Sequence, residues 1–327
     1  MFKSIITIIL ASVLMVSCGE PNSPEDYTGG YNIVKKVQTY GDANDVIVDA
    51  NYAYVTQGEG GLAIFNIDDP ENPILVKSQS EGLHGYSTKL IKKENILFIA
   101  AGSSGFNQVD VSNPSNPLVR DQDLNGKLVN LHVMGDYLIS SVSESGFHIS
   151  FMRHGMKPLD YRGYTHTNGF TNGVTTTADE STLFAATGEM GLSVYNISNF
   201  DDGYGIFSST SSINLPGYAE SVVLNESLQI AFVACGSAGL QVVDYSDTSN
   251  MHVIGSYDTA GYAQELLLEN NKLYLTASGL QVFDVSSPSN PKLLGIVDTE
   301  YALGVTVDSN YIYVADKEEG LIVIKKK

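Results

Sequence analysis

One phrase recurs seven times along the chain and leaves few architectures open. It is a glycine followed by an apolar alternating run, and in the best copies by Asp, Ser and a pair of prolines. The clearest copies are GLAIFNIDDPENP from Gly61, GFNQVDVSNPSNP from Gly105 and GLQVFDVSSPSNP from Gly279. Weaker copies begin at Gly146, Gly191, Gly239 and Gly320, and successive glycines are 44, 41, 45, 48, 40 and 41 residues apart. A period of this length, carried by short strands, is that of a propeller or another repeat array.

Each unit divides into four short strands. In the unit that ends the complete series they are AQELLLE from Ala263, KLYLTA from Lys272, GLQVFDV from Gly279 and PKLLGIVD from Pro291. Period-two alternation and the Val, Ile, Leu and Tyr content favour strands over helices. The seventh unit stops after its third strand, at GLIVIKKK. The N-terminal segment Tyr31–Tyr40, YNIVKKVQTY, reads as a fourth strand without a unit of its own. Pairing the two closes a ring and leaves no exposed sheet edge, whereas an open solenoid needs capping units at its ends. The expectation is an all-β, seven-bladed propeller of four-stranded blades over residues 31–327.

The first residues have a different character. Lys3, an apolar run from Ile5 to Val16 and then Ser17-Cys18 describe an export signal too short to span a bilayer. Met15-Val16-Ser17 before Cys18 resembles a bacterial lipobox, with Met15 in place of the usual Leu. The expected division is a signal peptide over residues 1–17, a lipidated tether over 18–30 and the propeller beyond, with Cys18 as the lipidation site. Gly19 carries no inner-membrane retention Asp, which by the same resemblance points to the outer membrane. The formal net charge is −19, and loss of Lys3 with the signal makes it more negative. Such a surface repels nucleic acid and anionic headgroups, so the lipid is expected to hold the membrane and no nucleic-acid partner is expected. Acylation of Cys18 leaves Cys235 as the one other cysteine, read as a buried structural residue in AFVACGSAG.

The phrases GLQVVDYS and GLQVFDVSSPSNP resemble the LVIVD repeat of secreted and surface-attached bacterial and archaeal proteins. The resemblance extends over residues 31–327 and is poorest at Gly146 and Gly191. It implies a propeller at the cell surface and no shared catalytic activity. The absence of Trp rules against WD-type blades.

Three groups of residues invite a functional reading. The Asp-x-Ser-x-Pro connectors, such as Asp110 to Asn116, have oxygen ligands at alternating positions but lack the central Gly and closing Glu of a calcium loop. They read as turns set by side chain to backbone bonds and proline. The third unit holds His132, His148, His154 and His166, spread over two strands, a loop and a strand, which no single metal gathers. The unit reads as a degenerate blade whose basic connector MRHGMK contrasts with the acidic chain, with a partner-docking spot at that connector as the alternative. No metal or other cofactor is expected.

The third group precedes each first strand: an aromatic, a small residue, then a polar pair. The aromatics are Tyr86, Phe170, Tyr218, Tyr262 and Tyr301. The pairs are Asn44 and Asp45, Thr88 and Lys89, Val129 and Asn130, Asn172 and Gly173, Glu220 and Ser221, Gln264 and Glu265, Leu303 and Gly304. On a propeller these positions converge on the central channel. One reading makes Asp45, Lys89, Asn130, Ser221 and Glu265, beneath the aromatics, the channel-mouth site of a glycan-like or other small polar ligand. The other makes the aromatics wedges between blades and the polar residues hosts for channel water. The functional expectation is a membrane-anchored, non-catalytic binding or scaffolding propeller of the envelope, with an envelope protein or glycan as partner. The alternative is an enzyme on an envelope polymer, with Asp45 and Glu265 as general acid and base; no nucleophile motif supports it.

Overall fold

A computed structural model describes residues 28–123, 127–152, 160–198, 205–259 and 261–327. Cys18, the signal and most of the tether lie outside them, as does His154 with most of the MRHGMK connector.

Alternating apolar residues build short strands, and the described strands form seven sheets. Blade I is typical: Asp45–Asp49, Tyr52–Thr56, Leu62–Asn66 and Ile74–Gln79 pair antiparallel in chain order. The first strand lies innermost and the fourth outermost. Blade VII consists of Ala302–Val307, Tyr311–Asp316 and Gly320–Lys325, and its outer strand is Asn32–Val37. Asn32 pairs with Lys325 and Val37 with Leu321, so the first described strand closes the sheet of the last. The ring is therefore sealed as the unpaired N-terminal segment foretold.

Blade III differs. Its outer strand Asp160–Thr165 is flanked by a fifth, parallel strand, Gly205–Ile206, lent by the long connection of blade IV. Thr165 fixes this addition: its hydroxyl accepts from the amide of Phe207 at 2.8 Å. Nothing in the alternation of the sequence announces that strand.

The core sits between blades. Each of seven apolar clusters draws on two neighbouring blades; Phe184 and Val194 of blade IV, for instance, pack with Val222 and Val243 of blade V. Connectors between third and fourth strands are Asx turns. Asp110, Asp244 and Asp284 accept from the amides of Ser112, Ser246 and Ser286 at 2.9, 2.8 and 2.9 Å. The Asp-x-Ser phrase thus gives one carboxylate oxygen to its own backbone, and in Asp110 the other accepts from Arg120 at 2.6 Å.

On the other face, five of the hairpins between second and third strands bridge to the residue that opens the next blade, Gly102 to Leu128 and Ser143 to Thr171 among them. Gly58 bridges to Ser87, Gly188 to Ala219 and Gly236 to Ala263, each through two backbone hydrogen bonds of 3.0–3.2 Å. These staples fix where five of the seven pairs enter the channel mouth.

Candidate functional site

Strand alternation makes the first strands turn every second residue toward the channel. The first members of the seven pairs, Asn44, Thr88, Val129, Asn172, Glu220, Gln264 and Leu303, line one cavity of about 270 Å³ at the mouth, together with Lys89, Asn130 and Glu265. Those last three also line a second cavity, about 320 Å³, deeper in the channel. There they join Asp45 and Ser221 from the polar ring, then Ile47, Ile91, Val223 and Leu267 with His132 from the next ring down.

The floor between the two cavities is ionic. Lys89 of blade II donates across the channel to Glu265 of blade VI, and its Nζ lies 3.8 Å from Asp45 of blade I. Asp45 is anchored twice: Oδ1 accepts from its neighbour Val46 at 2.9 Å and Oδ2 from Leu90 of the next blade at 3.1 Å. Room for it comes from Gly304, where a methyl group would lie 2.5 Å from Oδ1. Burial pushes the Asp45 carboxyl up to about 6, against the pull of Lys89. Lys89 itself loses by burial but is held above the ordinary lysine value by Asp45 and Glu265. Burial also raises Glu220. Burial lowers His132 to about 4, and its Nε2 lies 3.0 Å from the Thr176 hydroxyl.

The five aromatics line neither cavity. Tyr86, Tyr218 and Tyr262 lie flat on hairpin glycines of the preceding blade: a methyl group on Gly58, Gly188 or Gly236 would come within 2.7–2.8 Å of the respective ring. Their φ values of +52° to +57° favour glycine as well. The Tyr86 hydroxyl donates to Asp42 and that of Tyr262 to Glu220, both at 2.6 Å. Phe170 and Tyr301 are 42% and 46% exposed, and Tyr301 has the Lys317 ammonium 5.9 Å above its ring. The structure therefore gathers Asp45, Lys89, Asn130, Ser221 and Glu265 in one channel and sets the aromatics at the joints around it.

Two residues belong with the site beyond the five expected at the channel mouth. Glu220 is the first member of the fifth pair, and its carboxylate links cavity and joint through Tyr262. His132 was weighed only as a metal ligand; its register, two positions after Asn130 on Asn130–Met134, was the signal that it faces the same channel. Among the described residues, no group of three or more His, Cys, Asp or Glu side chains is placed to hold a metal ion.

Comparison with known proteins agrees with this architecture. The LVIVD repeat profile matches residues 40–80, 84–120, 216–259, 260–299 and 301–324, more than half of the chain. The unmatched stretch between 120 and 216 holds blades III and IV, which are nevertheless built as blades. No curated protein matches the chain. Among solved structures, the WD40 beta propeller domain of Doa1 superposes with a TM-score of 0.73 at 11% identity, covering 91% of this chain and 97% of that one. A chain of the Mitotic Checkpoint Complex gives 0.72 at 12%, covering 95% and 97%. The computationally designed Ika8 protein gives 0.64 at 10%, covering 90% and 100%. At these identities the likeness concerns the fold alone.

Proposed function

This chain belongs to the LVIVD-repeat family, and we propose that it is a lipid-anchored, non-catalytic binding propeller of the bacterial envelope. Its site is the upper channel cavity, and its ligand a small, hydrogen-bonding molecule of glycan or metabolite type. One observation carries the reading. At the scaffold positions the repeats reuse the same residue types, but at the seven equivalent mouth positions they present Asn, Thr, Val, Asn, Glu, Gln and Leu. The scaffold is periodic and the cavity is individual, as a site for one asymmetric ligand requires. Amides, a hydroxyl and a carboxylate converge there with two apolar side chains, the mixture that orients a polar ligand in a concave site.

Binding is preferred to hydrolysis because the carboxylates are already engaged. Both oxygens of Asp45 accept backbone amides, and Glu265 accepts Lys89. Neither is left free as a general acid in the manner paired carboxylates need. The anchor is supported by the export signal and by Cys18 at its end.

The test is an array of glycans and metabolites probed with the full chain, followed by Glu220→Gln and Gln264→Ala. Affinity for the best ligand should fall at least ~10-fold, the loss of about 1.4 kcal/mol expected for one polar contact. Unchanged affinity in both folded variants removes the site. Separately, Cys18→Ser should move the protein out of the membrane fraction; a wild type without acyl mass and a mutant that still sediments with membranes refute the anchor.

A further inference from the structure

The place where the chain enters the ring defines a second surface. Thr28 and Gly29 lie against the outer strand of blade VI, Lys292–Asp298. A methyl group on Gly29 would overlap the Leu294 carbonyl at 1.9 Å, and one on Gly295 would overlap the Thr28 carbonyl at 2.2 Å. Gly30 sits against the side chain of Lys327, and Tyr31 is buried. The entry is thus the seam between blades VI and VII, at the proline-connector face, since Asn32 pairs with Lys325 at that end of blade VII. On the other flank, Lys325 and the Tyr311 hydroxyl bond Glu71 of blade I at 2.9 and 3.1 Å, three residues before Ile74.

These contacts tie one continuous strip together: Leu294, the entry, the C-terminal lysines, then Ile74 and Leu75. Its apolar side chains are open, with Ile74 66%, Leu75 40% and Leu294 38% exposed. It also carries a third of the basic side chains, of which Lys36, Lys325 and Lys326 are ion-paired to Glu319, Glu71 and Glu269, leaving Lys35, Lys292 and Lys327 for an outside anion. Six of the eighteen Lys and Arg of a chain with net charge −19 are Lys35, Lys36, Lys292 and Lys325 to Lys327.

We infer that this side of the ring, the outer strands of blades VI, VII and I around the entry, rests on a phospholipid surface. The inference rests on the lipid-anchored reading. Nine residues separate Cys18 from Thr28, and at full extension they reach about 30 Å. An acylated Cys18 therefore keeps the entry, and the outer strands around it, within that distance of the bilayer. At that effective concentration weak contacts suffice. A lipid with a basic and apolar patch is the two-signal attachment that makes membrane binding durable. Lys35 and Lys36 on the outermost strand oppose pairing with the edge of a second copy, which leaves headgroups as the occupant that suits both the lysines and the leucines.

The test uses the full acylated chain in vesicles of phosphatidylethanolamine and phosphatidylglycerol. An environment-sensitive thiol fluorophore is placed on Leu75→Cys, on Leu294→Cys, or on Ala178→Cys in blade IV, across the ring. Cys235 is fully buried and its thiol is pushed up to about 12, so labelling stays at the introduced position. Lipids brominated near the headgroup should quench the first two labels at least about twofold more than the third, because a docked apolar face sits ~5–10 Å into the interface. Lys35→Glu with Lys325→Glu and Lys327→Glu should erase that difference while the chain stays anchored. Equal quenching at all three labels on an acylated, membrane-bound chain overturns the inference and leaves the anchor standing. A chain without acyl mass that leaves the vesicles overturns both. Preferential quenching in Cys18→Ser would show that the strip binds lipid by itself.

Discussion

Two buried groups in the channel should give the protein opposed pH responses that mask each other. The Asp45 carboxyl moves from 3.8 to about 6 on folding, so the folded state takes its proton first. Its contribution is greatest below pH 4 and is lost as pH rises through 6. His132 moves from 6.5 to about 4, so the unfolded state takes its proton first. Its contribution is present above pH 6.5 and is lost as pH falls toward 4. At about 1.4 kcal/mol per pH unit, each group is worth up to ~3 kcal/mol over nearly the same window and with opposite sign. Channel water lowers both figures. Urea denaturation of the wild type between pH 4.5 and 7.5 should therefore show a shallow slope from these two residues. Asp45→Asn should uncover the histidine, with stability falling by about 2 kcal/mol as pH drops across that range. His132→Gln should uncover the carboxyl, with stability rising by a similar amount. Relief of the overall negative charge adds to all variants alike, so the contrast between slopes is the measurement. Equal slopes in Asp45→Asn and His132→Gln would refute the reasoning, because neither group could then be desolvated as the channel geometry requires.

Removing the channel cation should be severe. Lys89→Met strands Asp45 and Glu265, and at pH 8 should cost ~3–5 kcal/mol in chemical denaturation, less at pH 5 where Asp45 takes a proton. Gly236→Val places a branched side chain where the Tyr262 ring lies, at φ +52°; a fall of at least ~2 kcal/mol in stability is expected, partly recovered by Tyr262→Ala. Tyr31→Ala, at a side chain only 2% exposed in the closing seam, should cost ~3–5 kcal/mol, whereas deletion of residues 20–27 should leave the melting temperature unchanged. Equal effects of those two changes would speak against closure at this seam. Cys235, its thiol raised by burial to about 12, should react with iodoacetamide only at the rate of unfolding; faster labelling would place it outside the core.

Residue patterns reveal what every blade must do for itself. The glycine before each third strand, the alternation that follows and the Asp-x-Ser turn are solved locally and seven times over, so their repetition spells the ring. The channel set was legible for the same reason, since a small residue stapled to the preceding hairpin fixes where the next pair points. What stayed hidden depends on partners in other blades. Lys89 and Glu265 are 176 residues apart, and no spacing rule couples them. Tyr262 declares its seat only once Gly236 of the blade before is seen beneath it. The added strand Gly205–Ile206 exists because blade III has an outer edge to offer, a fact about blade III rather than about residues 205 and 206.

The seam between Asn32–Val37 and Gly320–Lys325 also sets an order in time. The ribosome makes the first of these strands well before its partner, and Lys36 meets Glu319 only across a separation of 283 residues. Until Gly320–Lys325 has been made, the outer strand of blade VII has no partner and the earlier blades have no final neighbour. Synthesis of Gly320–Lys325 is thus built into the fold as a checkpoint. A product cut short before Gly320 keeps an open sheet edge and an unsealed apolar flank, features that chaperones and proteases recognise. Only a chain that carries both strands yields a circle.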